Sequence, residues 1–272
     1  VLGLLGIGSV CALGGIGFGR WSAHPHGSHV DRILGRPVRT TSDVRRWDVD
    51  PSGIFGVSTD QPVVAISFDD GPDSRFTGHV HQILAQRRIH ATFFAIGVSA
   101  LAHPHLLLDA RAAGHSIGNH TRTHPSLDQI PAREAFEQIL DGAADLRSIG
   151  LAQPEMFRPP RGMIDEVAAA FLDAERYRTV YWSACLEHYL VGRTEREAAL
   201  ALAADTKPGD IILCHDGAGI VSIPQAQRMS RARTVAALPI LLDALIDRGF
   251  SMVDVPRLLD VGPRRTRRQL RH

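Results

Sequence analysis

The stretch Pro62-Val63-Val64-Ala65-Ile66-Ser67-Phe68-Asp69-Asp70-Gly71-Pro72 runs from an unbroken apolar segment into two adjacent carboxylates and then a Gly-Pro turn. A short apolar run with β-branched residues, closed by turn formers, reads as a strand buried on both faces. Such strands belong to parallel sheets covered on both sides. Adjacent carboxylates repel, and a fold tolerates them at a strand end when a cation or metal lies beside them. Taken alone, the same hexapeptide also fits a solvent-facing Asx turn.

The pattern continues outward from this strand. Helical periodicity over 76–88 leads to an apolar strand at Ala91–Ile96, a helix over 99–113 that stops at Gly114, and a short strand at His115–Gly118. Pro131 opens a helix running to about Ser148. An extended piece at Met156–Arg158, a helix over 163–175 and a strand from Arg178 to Trp182 follow. Thr194 and Glu197 form a capping box for a helix over 194–205. A strand at Ile211–Cys214, a helix over 232–248 and a strand at Phe250–Val253 complete the set.

About seven strands alternating with helices predict a parallel α/β architecture, whose chemistry gathers at the C-terminal strand ends. Asp69-Asp70, His120, Arg158, His188 and His215 all fall at such ends. That coincidence predicts one active site in one domain, without internal repeats.

Bulk properties bound the function. A chain of 272 residues is long enough for one large core, and 44% apolar with 22% charged residues is an ordinary globular composition. A formal net charge of +1 gives no case for nucleic acid. Arginine clusters in residues 264–271, which reads as a solvated basic tail. Of fourteen histidines, His24, His26 and His29 fall in a Gly/Pro/Ser-containing linker. Cys11, Cys185 and Cys214 make an odd count, which argues against a disulfide framework and for buried free thiols.

Val1 to Gly19 is apolar, Gly or Ser throughout and is closed by Arg20, a length that suits an export signal core or a membrane anchor. The expected organisation is a signal or anchor over 1–20, a linker and lead-in over 21–60, a catalytic domain over 61–260 and a basic tail over 261–272. Secretion or tethering at the cell envelope is the expected location, as a monomer.

The reactive residues sort into constellations. His120 and His124 are four apart, so one helical turn would put both on one face. Two imidazoles and a carboxylate, with water in the fourth place, make a common catalytic zinc arrangement. Arg158 precedes the rigid Pro159-Pro160 pair, so the segment presents a positioned cation whose expected partner is Asp69. His215 follows a buried strand and precedes Asp216-Gly217, where an imidazole can serve as a general acid. Each taken alone also has a plain structural reading: a surface pair, a surface arginine, a capping histidine.

Together the pieces Ser67-Phe68-Asp69-Asp70-Gly71-Pro72, His120-Thr121-Arg122-Thr123-His124, Phe157-Arg158-Pro159-Pro160-Arg161-Gly162 and Leu213-Cys214-His215-Asp216-Gly217 resemble, in order and spacing, the polysaccharide deacetylase family of carbohydrate esterases. The resemblance covers roughly residues 60–260. It implies a distorted, incomplete (β/α) barrel with an open groove. It implies Asp69 as catalytic base and Asp70, His120 and His124 as ligands of Zn2+, with Co2+ or another divalent ion as alternatives. It implies that Arg158 supports Asp69, that His215 is the acid, and that the backbone N–H at Arg161 holds an oxyanion. Phe94, Pro159, Pro160, Trp182, Tyr189 and Leu213 are expected to line the groove.

The chain also departs from the family pattern. Arg161 stands where a tyrosine is common. The family often shows Trp-Ser-x-Asp-x-x-Asp-Trp; here Trp182-Ser183-Ala184-Cys185-Leu186-Glu187-His188-Tyr189 replaces both aspartates and the final tryptophan. In the family a carboxylate from this region orients the acid histidine. Either Glu187 takes that place or His188 does a different job. Ala218 to Ser230 is long enough to cover a groove.

The implied activity is removal of N-acetyl groups from an aminosugar polymer or oligomer, peptidoglycan or chitin-like, with release of acetate. The alternatives are an O-acetyl esterase on a cell-wall glycan or xylan, and a catalytically silent carbohydrate-binding homologue. A glycosidase reading is poor: Asp69 and Asp70 are too close to flank a glycosidic bond, which needs carboxyls about 5 Å apart or more.

Overall fold

A computed structural model describes residue 50 and residues 52–218 and 230–266. The expected signal or anchor segment, Trp47, the linker histidines, Cys11, most of the Ala218–Ser230 loop and the end of the basic tail lie outside these residues.

The parallel α/β half-barrel expected from the sequence is what the chain forms. Its strands are β1 (Gly56–Val57), β2 (Val63–Asp69), β3 (Thr92–Ala95), β4 (Ser116–Asn119), β5 (Met156–Phe157), β6 (Arg178–Thr179), β7 (Ala184–Cys185), β8 (Ile211–His215), β9 (Ser251–Val253) and β10 (Arg264–Arg265). The helices are α1 (Thr77–Gln86), α2 (Gly97–Ala102), α3 (Pro104–Ala112), α4 (Ala132–Ser148), α5 (Glu166–Ala174), α6 (Leu186–Leu190), α7 (Glu195–Asp205), α8 (Ser230–Asp247) and α9 (Val255–Leu259). Seven strands run in the order β6-β5-β4-β3-β2-β8-β7, and β9 pairs with the start of β2. All of these pairings are parallel. The strands missed in the sequence are β1, β7 and β10, each two residues long and too short for a periodic signal. The helix expected over 99–113 is broken at His103, because Pro104 starts a new helix at its first position.

β2 is buried along its whole length, and its two faces do different work. Val64, Ile66 and Phe68 pack outward with Val80 and Leu84 of α1, Leu202 of α7 and Leu241 of α8. Burying each large apolar side chain contributes about 1.5–3 kcal/mol. The alternate residues Val63 and Ala65 point inward with Phe94, Met156, Val180 and Ile211. Continuing along that inward row, Ser67 and Asp69 replace apolar side chains with polar ones at the C-terminal end.

The half-barrel is bridged on its open side by the lead-in. Ile54 N–H donates to Thr179 O (2.9 Å), Tyr181 N–H to Ile54 O (2.7 Å) and Val57 N–H to Gly209 O (2.9 Å). Ile54 and Phe55 are buried, so packing against the barrel begins before residue 61. The start of the basic tail is also built in: β10 pairs antiparallel with β1, and Arg265 reaches Asp210 at 2.7 Å. Among the described residues, no helix is long and apolar enough to cross a membrane.

Candidate active site

The inward row of β2 ends on Asp69, and the next residue leaves the strand. Asp70 adopts a left-handed conformation (φ 74°), so its carboxylate departs from strand alternation and both acids serve one site. The loops after β2 and β8 touch here. A Cβ on Gly217 would lie 2.1 Å from the Asp70 carbonyl oxygen, so only glycine fits that contact.

Arg158 follows β5 and is completely buried. Its Nη1 donates to Asp69 Oδ1 (2.7 Å) and Ser67 Oγ (3.0 Å), its Nη2 to Tyr181 O (2.9 Å) and its Nε to Val180 O (3.0 Å). The guanidinium lies 4.1 Å from the Phe94 ring centroid and 5.7 Å from that of Trp182. A buried cation with its donors used in this way holds one carboxylate in place.

The two histidines converge, but not through a helix. His120–His124 is a loop in which Thr121 (φ 69°) and His124 (φ 65°) are left-handed. Asn119 Oδ1 accepts from Thr121 N–H (3.0 Å), and Thr121 Oγ1 accepts from His124 N–H (2.9 Å). These local bonds substitute for a helical turn. Arg158 O lies 2.7 Å from His120 Nδ1; a proton there turns Nε2 toward the carboxylates as an acceptor. His124 Nε2 is 3.1 Å and His120 Nε2 3.6 Å from Asp70 Oδ1.

Burial pushes the Asp70 carboxyl up, but the His120 and His124 imidazoles outweigh it and hold the group well below the ordinary range. Burial lowers His124, with Asp70 opposing, so that ring favours its neutral, ligating form. One ligand atom from each of Asp70, His120 and His124 lies within 4.8 Å of the others, and all three residues are buried. His124 Nδ1 is also buried without a hydrogen-bond partner. Two imidazoles and a carboxylate suit zinc or cobalt, so this donor set fits the expected ion.

On the other side, β8 ends on His215. Its Nδ1 lies 3.0 Å from Glu187 Oε2, in ion-pair contact and off the line of a good hydrogen bond. Burial lowers the His215 pKa, but Glu187 outweighs it and the net direction is up. Burial raises Glu187, yet His215 and Arg231 bring it down to about 2. Thr234 Oγ1 donates to the second Glu187 oxygen at 2.7 Å.

Glu187, offered in the sequence as the carboxylate that orients His215, is therefore the residue that meets it. His188 is exposed on α6, and none of its contacts among the described residues reaches the carboxylates or His215. Tyr189, expected in the groove, instead donates to Asp205 Oδ2 (2.8 Å) and packs against the outer core. A one-turn helix beginning directly after β7 turns Glu187 inward and these two neighbours elsewhere. Phe94, Trp182 and Leu213 do lie with the inward row: the first two face Arg158, and Leu213 sits on β8 beside Ser67. Pro159 and Pro160 are buried, and Arg161 is left-handed (φ 58°) in the turn they open. Its Nη1 lies 3.5 Å from His124 O. Cys185 faces inward beside Glu187 and Cys214 faces the outer core, both as free thiols.

Arg231 of α8 was not foreseen. Its Nη2 donates to Asp70 Oδ2 (2.7 Å), its Nε to Gly217 O, and its Nη1 lies 3.6 Å from Glu187 Oε1. It thus bridges the Asp70 carboxylate and the partner of His215. Nothing local in the sequence separates it from Arg233, which pairs with Glu195 at the surface. Asp216 was also missed. Its carboxyl accepts from Thr77 Oγ1 (2.6 Å), and burial pushes its pKa up to about 7.

Residues 56–180 match the family model for polysaccharide deacetylase. The chain is 37% identical over 205 residues to a chitooligosaccharide deacetylase of Sinorhizobium fredii, an alignment that spans 73% of this chain and 93% of that one. This protein belongs to the polysaccharide deacetylase family. It is also 32% identical over 217 residues to a peptidoglycan-N-acetylglucosamine deacetylase of Bacillus cereus, covering 79% of this chain and 97% of the relative. A crystal structure of a peptidoglycan N-acetylglucosamine deacetylase with a bound N-hydroxybenzamide superposes with a TM-score of 0.69 at 27% identity, over 79% of this chain and 95% of the other. Within the family this member is marked by Arg161 and by the Cys185–Tyr189 segment, where Glu187 supplies the carboxylate beside the histidine.

Proposed function

We propose that this protein is a metal-dependent hydrolase that removes N-acetyl groups from an aminosugar polymer or oligomer, chitin-like or peptidoglycan, releasing acetate. The observation that carries the reading is the placement of two differently poised groups on either side of one metal-ligand set. Asp69 is held in place by the enclosed Arg158, and His215 is held toward its protonated form by Glu187.

Asp70, His120 and His124 would hold the ion, zinc or cobalt. When bound, it supplies a Lewis acid and lowers the pKa of water at the site. Asp69 accepts the proton of the attacking water, and Arg158 keeps its carboxylate oriented for that transfer. The Arg161 N–H donates to the oxygen on which negative charge develops. His215, as imidazolium, gives its proton to the departing amine.

Amide cleavage needs that last step more than ester cleavage does, because an amine anion is a very poor leaving group. The Glu187–His215 contact therefore favours the N-acetyl substrate over an O-acetyl ester. Secretion or anchoring at the cell envelope, where such glycans lie, goes with the apolar run of Val1 to Gly19.

The test is acetate release by the zinc-loaded protein and by Asp69→Asn on N-acetylated chitooligosaccharide, peptidoglycan and O-acetylated xylan. Release from an N-acetyl glycan that disappears in the variant supports the reading and names the polymer. Faster release from xylan would replace it with the esterase. Bound zinc without release from any of the three would leave a carbohydrate-binding homologue.

A further inference from the structure

The replacement at Cys185 brings its own chemistry. Cys185 Sγ, a Glu187 carboxylate oxygen and a His215 ring nitrogen lie within 4.8 Å of one another, and none of the three belongs to the Asp70–His120–His124 set. They come together because β7 pairs with β8, Cys185 opposite Leu213, and α6 starts at the next residue. Glu187 Oε2 is the pivot: Cys185 Sγ lies 3.4 Å from it and His215 Nδ1 3.0 Å. The other Glu187 oxygen accepts from Thr234 at 2.7 Å and faces Arg231 at 3.6 Å. One oxygen is thus anchored from behind, while the second is presented between a thiol and an imidazole. Outer contacts of this kind orient metal ligands. His215 Nδ1 is buried and lacks a well-aligned hydrogen bond, so an ion that displaces its proton breaks no well-formed bond there.

We propose that Cys185, Glu187 and His215 form a second cation site, selective for a thiophilic divalent ion such as Zn2+, whose occupation inhibits the enzyme. The inhibitory clause rests on the hydrolase reading above; the site itself does not. Sulfur, nitrogen and oxygen donors together select zinc, cobalt or cadmium over magnesium or calcium. On loading, the Cys185 thiol proton and the His215 Nδ1 proton leave to solvent, and the sulfur lone pair binds the ion. The Glu187 Oε2 and His215 Nδ1 lone pairs complete three protein ligands, with water in a fourth place. With Nδ1 on a metal the His215 ring no longer becomes an imidazolium, and its remaining N–H is a far weaker acid. Amine protonation then stops. Because the ion must displace a buried thiol proton, the site fills after the Asp70 site and in metal excess.

The experiment is a Co2+ titration of the full-length metal-free protein, followed by absorption. Two equivalents are expected to bind, with sulfur-to-cobalt charge-transfer absorption appearing only with the second, since the Asp70 site has no sulfur. Cys185→Ser should lose that absorption and keep the first equivalent. Cys214→Ser, whose thiol faces the opposite side of the sheet, should retain both. In parallel, a second equivalent of Zn2+ should slow acetate release by about 10²–10⁴-fold, the usual contribution of a general acid, and Cys185→Ser should relieve that loss.

A single equivalent without sulfur absorption, or absorption that survives Cys185→Ser, would overturn the site. Sulfur absorption with unchanged hydrolysis would keep the site and overturn its inhibitory role. No hydrolysis even with one equivalent bound would sink the hydrolase reading while the absorption still decides the site.

Discussion

The two halves of the active site are built by different means. The Asp69 half rests on the end of β2 and on Arg158, completely buried between aromatic rings and backbone carbonyls. The His215 half rests on the end of β8, but its partner Glu187 comes from a one-turn helix and is itself held by Thr234 and Arg231 of α8. One half is locked by a single enclosed cation next to a rigid proline pair. The other is a relay of side chains from three elements. A half locked in this way should fail all at once when one residue changes, whereas a relay should change gradually and in its pH dependence.

Arg158→Leu should give the largest effect. It leaves the Asp69 carboxylate buried without its partner, and removing one member of a buried pair costs about 3–5 kcal/mol. Urea unfolding should show that loss, and acetate release should fall with it. A stability change below about 1 kcal/mol would mean that the two halves are equally soft.

Glu187→Gln should lower kcat by about 10–100-fold without a comparable loss of stability, as expected for weakened general-acid catalysis. The sign of the pH effect follows from the charge: Glu187 raises the His215 pKa, so its removal lowers it. The alkaline limb of the rate profile, where the acid loses its proton, should then move to lower pH.

Arg231→Gln should shift the same limb the other way, because the Arg231 charge lowers the His215 pKa directly. It should also weaken zinc retention by roughly 10-fold, through loss of an outer contact to Asp70. A shift in the same direction as Glu187→Gln would show that Arg231 acts on His215 mainly by placing Glu187.

The smallest effect lies outside both halves. His115 Nδ1 accepts from Ala91 N–H (3.1 Å), and burial, with His81 and His90 nearby, lowers its pKa to about 4. The unfolded chain therefore binds this proton first. The contribution is fully present above about pH 6.5 and is lost as pH falls to about 4, amounting to at most about 3 kcal/mol. Urea midpoints across that range should fall less in His115→Gln, with little change in rate at neutral pH.

How much of this was legible without coordinates follows the same division. The Asp69 half could be read because its groups sit at ends of apolar strands, and a parallel sheet sends such ends to one side. Arg158 announced itself through Pro159-Pro160. The His120–His124 spacing pointed to two rings that do converge, but not by the helical turn it suggested: they meet through left-handed loop residues, a conformation that the 3.6-residue period does not describe. In the His215 half, Glu187, His188 and Tyr189 are consecutive polar candidates, and which one turns inward depends on where α6 begins.

The amino-acid sequence by itself determined the alternation of strands and helices, the polar ends of β2 and β8, and the choice of Asp70, His120 and His124 as candidate ligands. These follow from local pattern, since burial on both sheet faces demands continuous apolar runs and leaves chemistry to their ends. Only the tertiary structure decided that Glu187 faces His215, that Arg231 spans the two halves, and that Cys185 stands beside the acid histidine. Those choices belong to contacts between residues up to 161 positions apart, as from Asp70 to Arg231, where position in space and not spacing in the chain selects the partner.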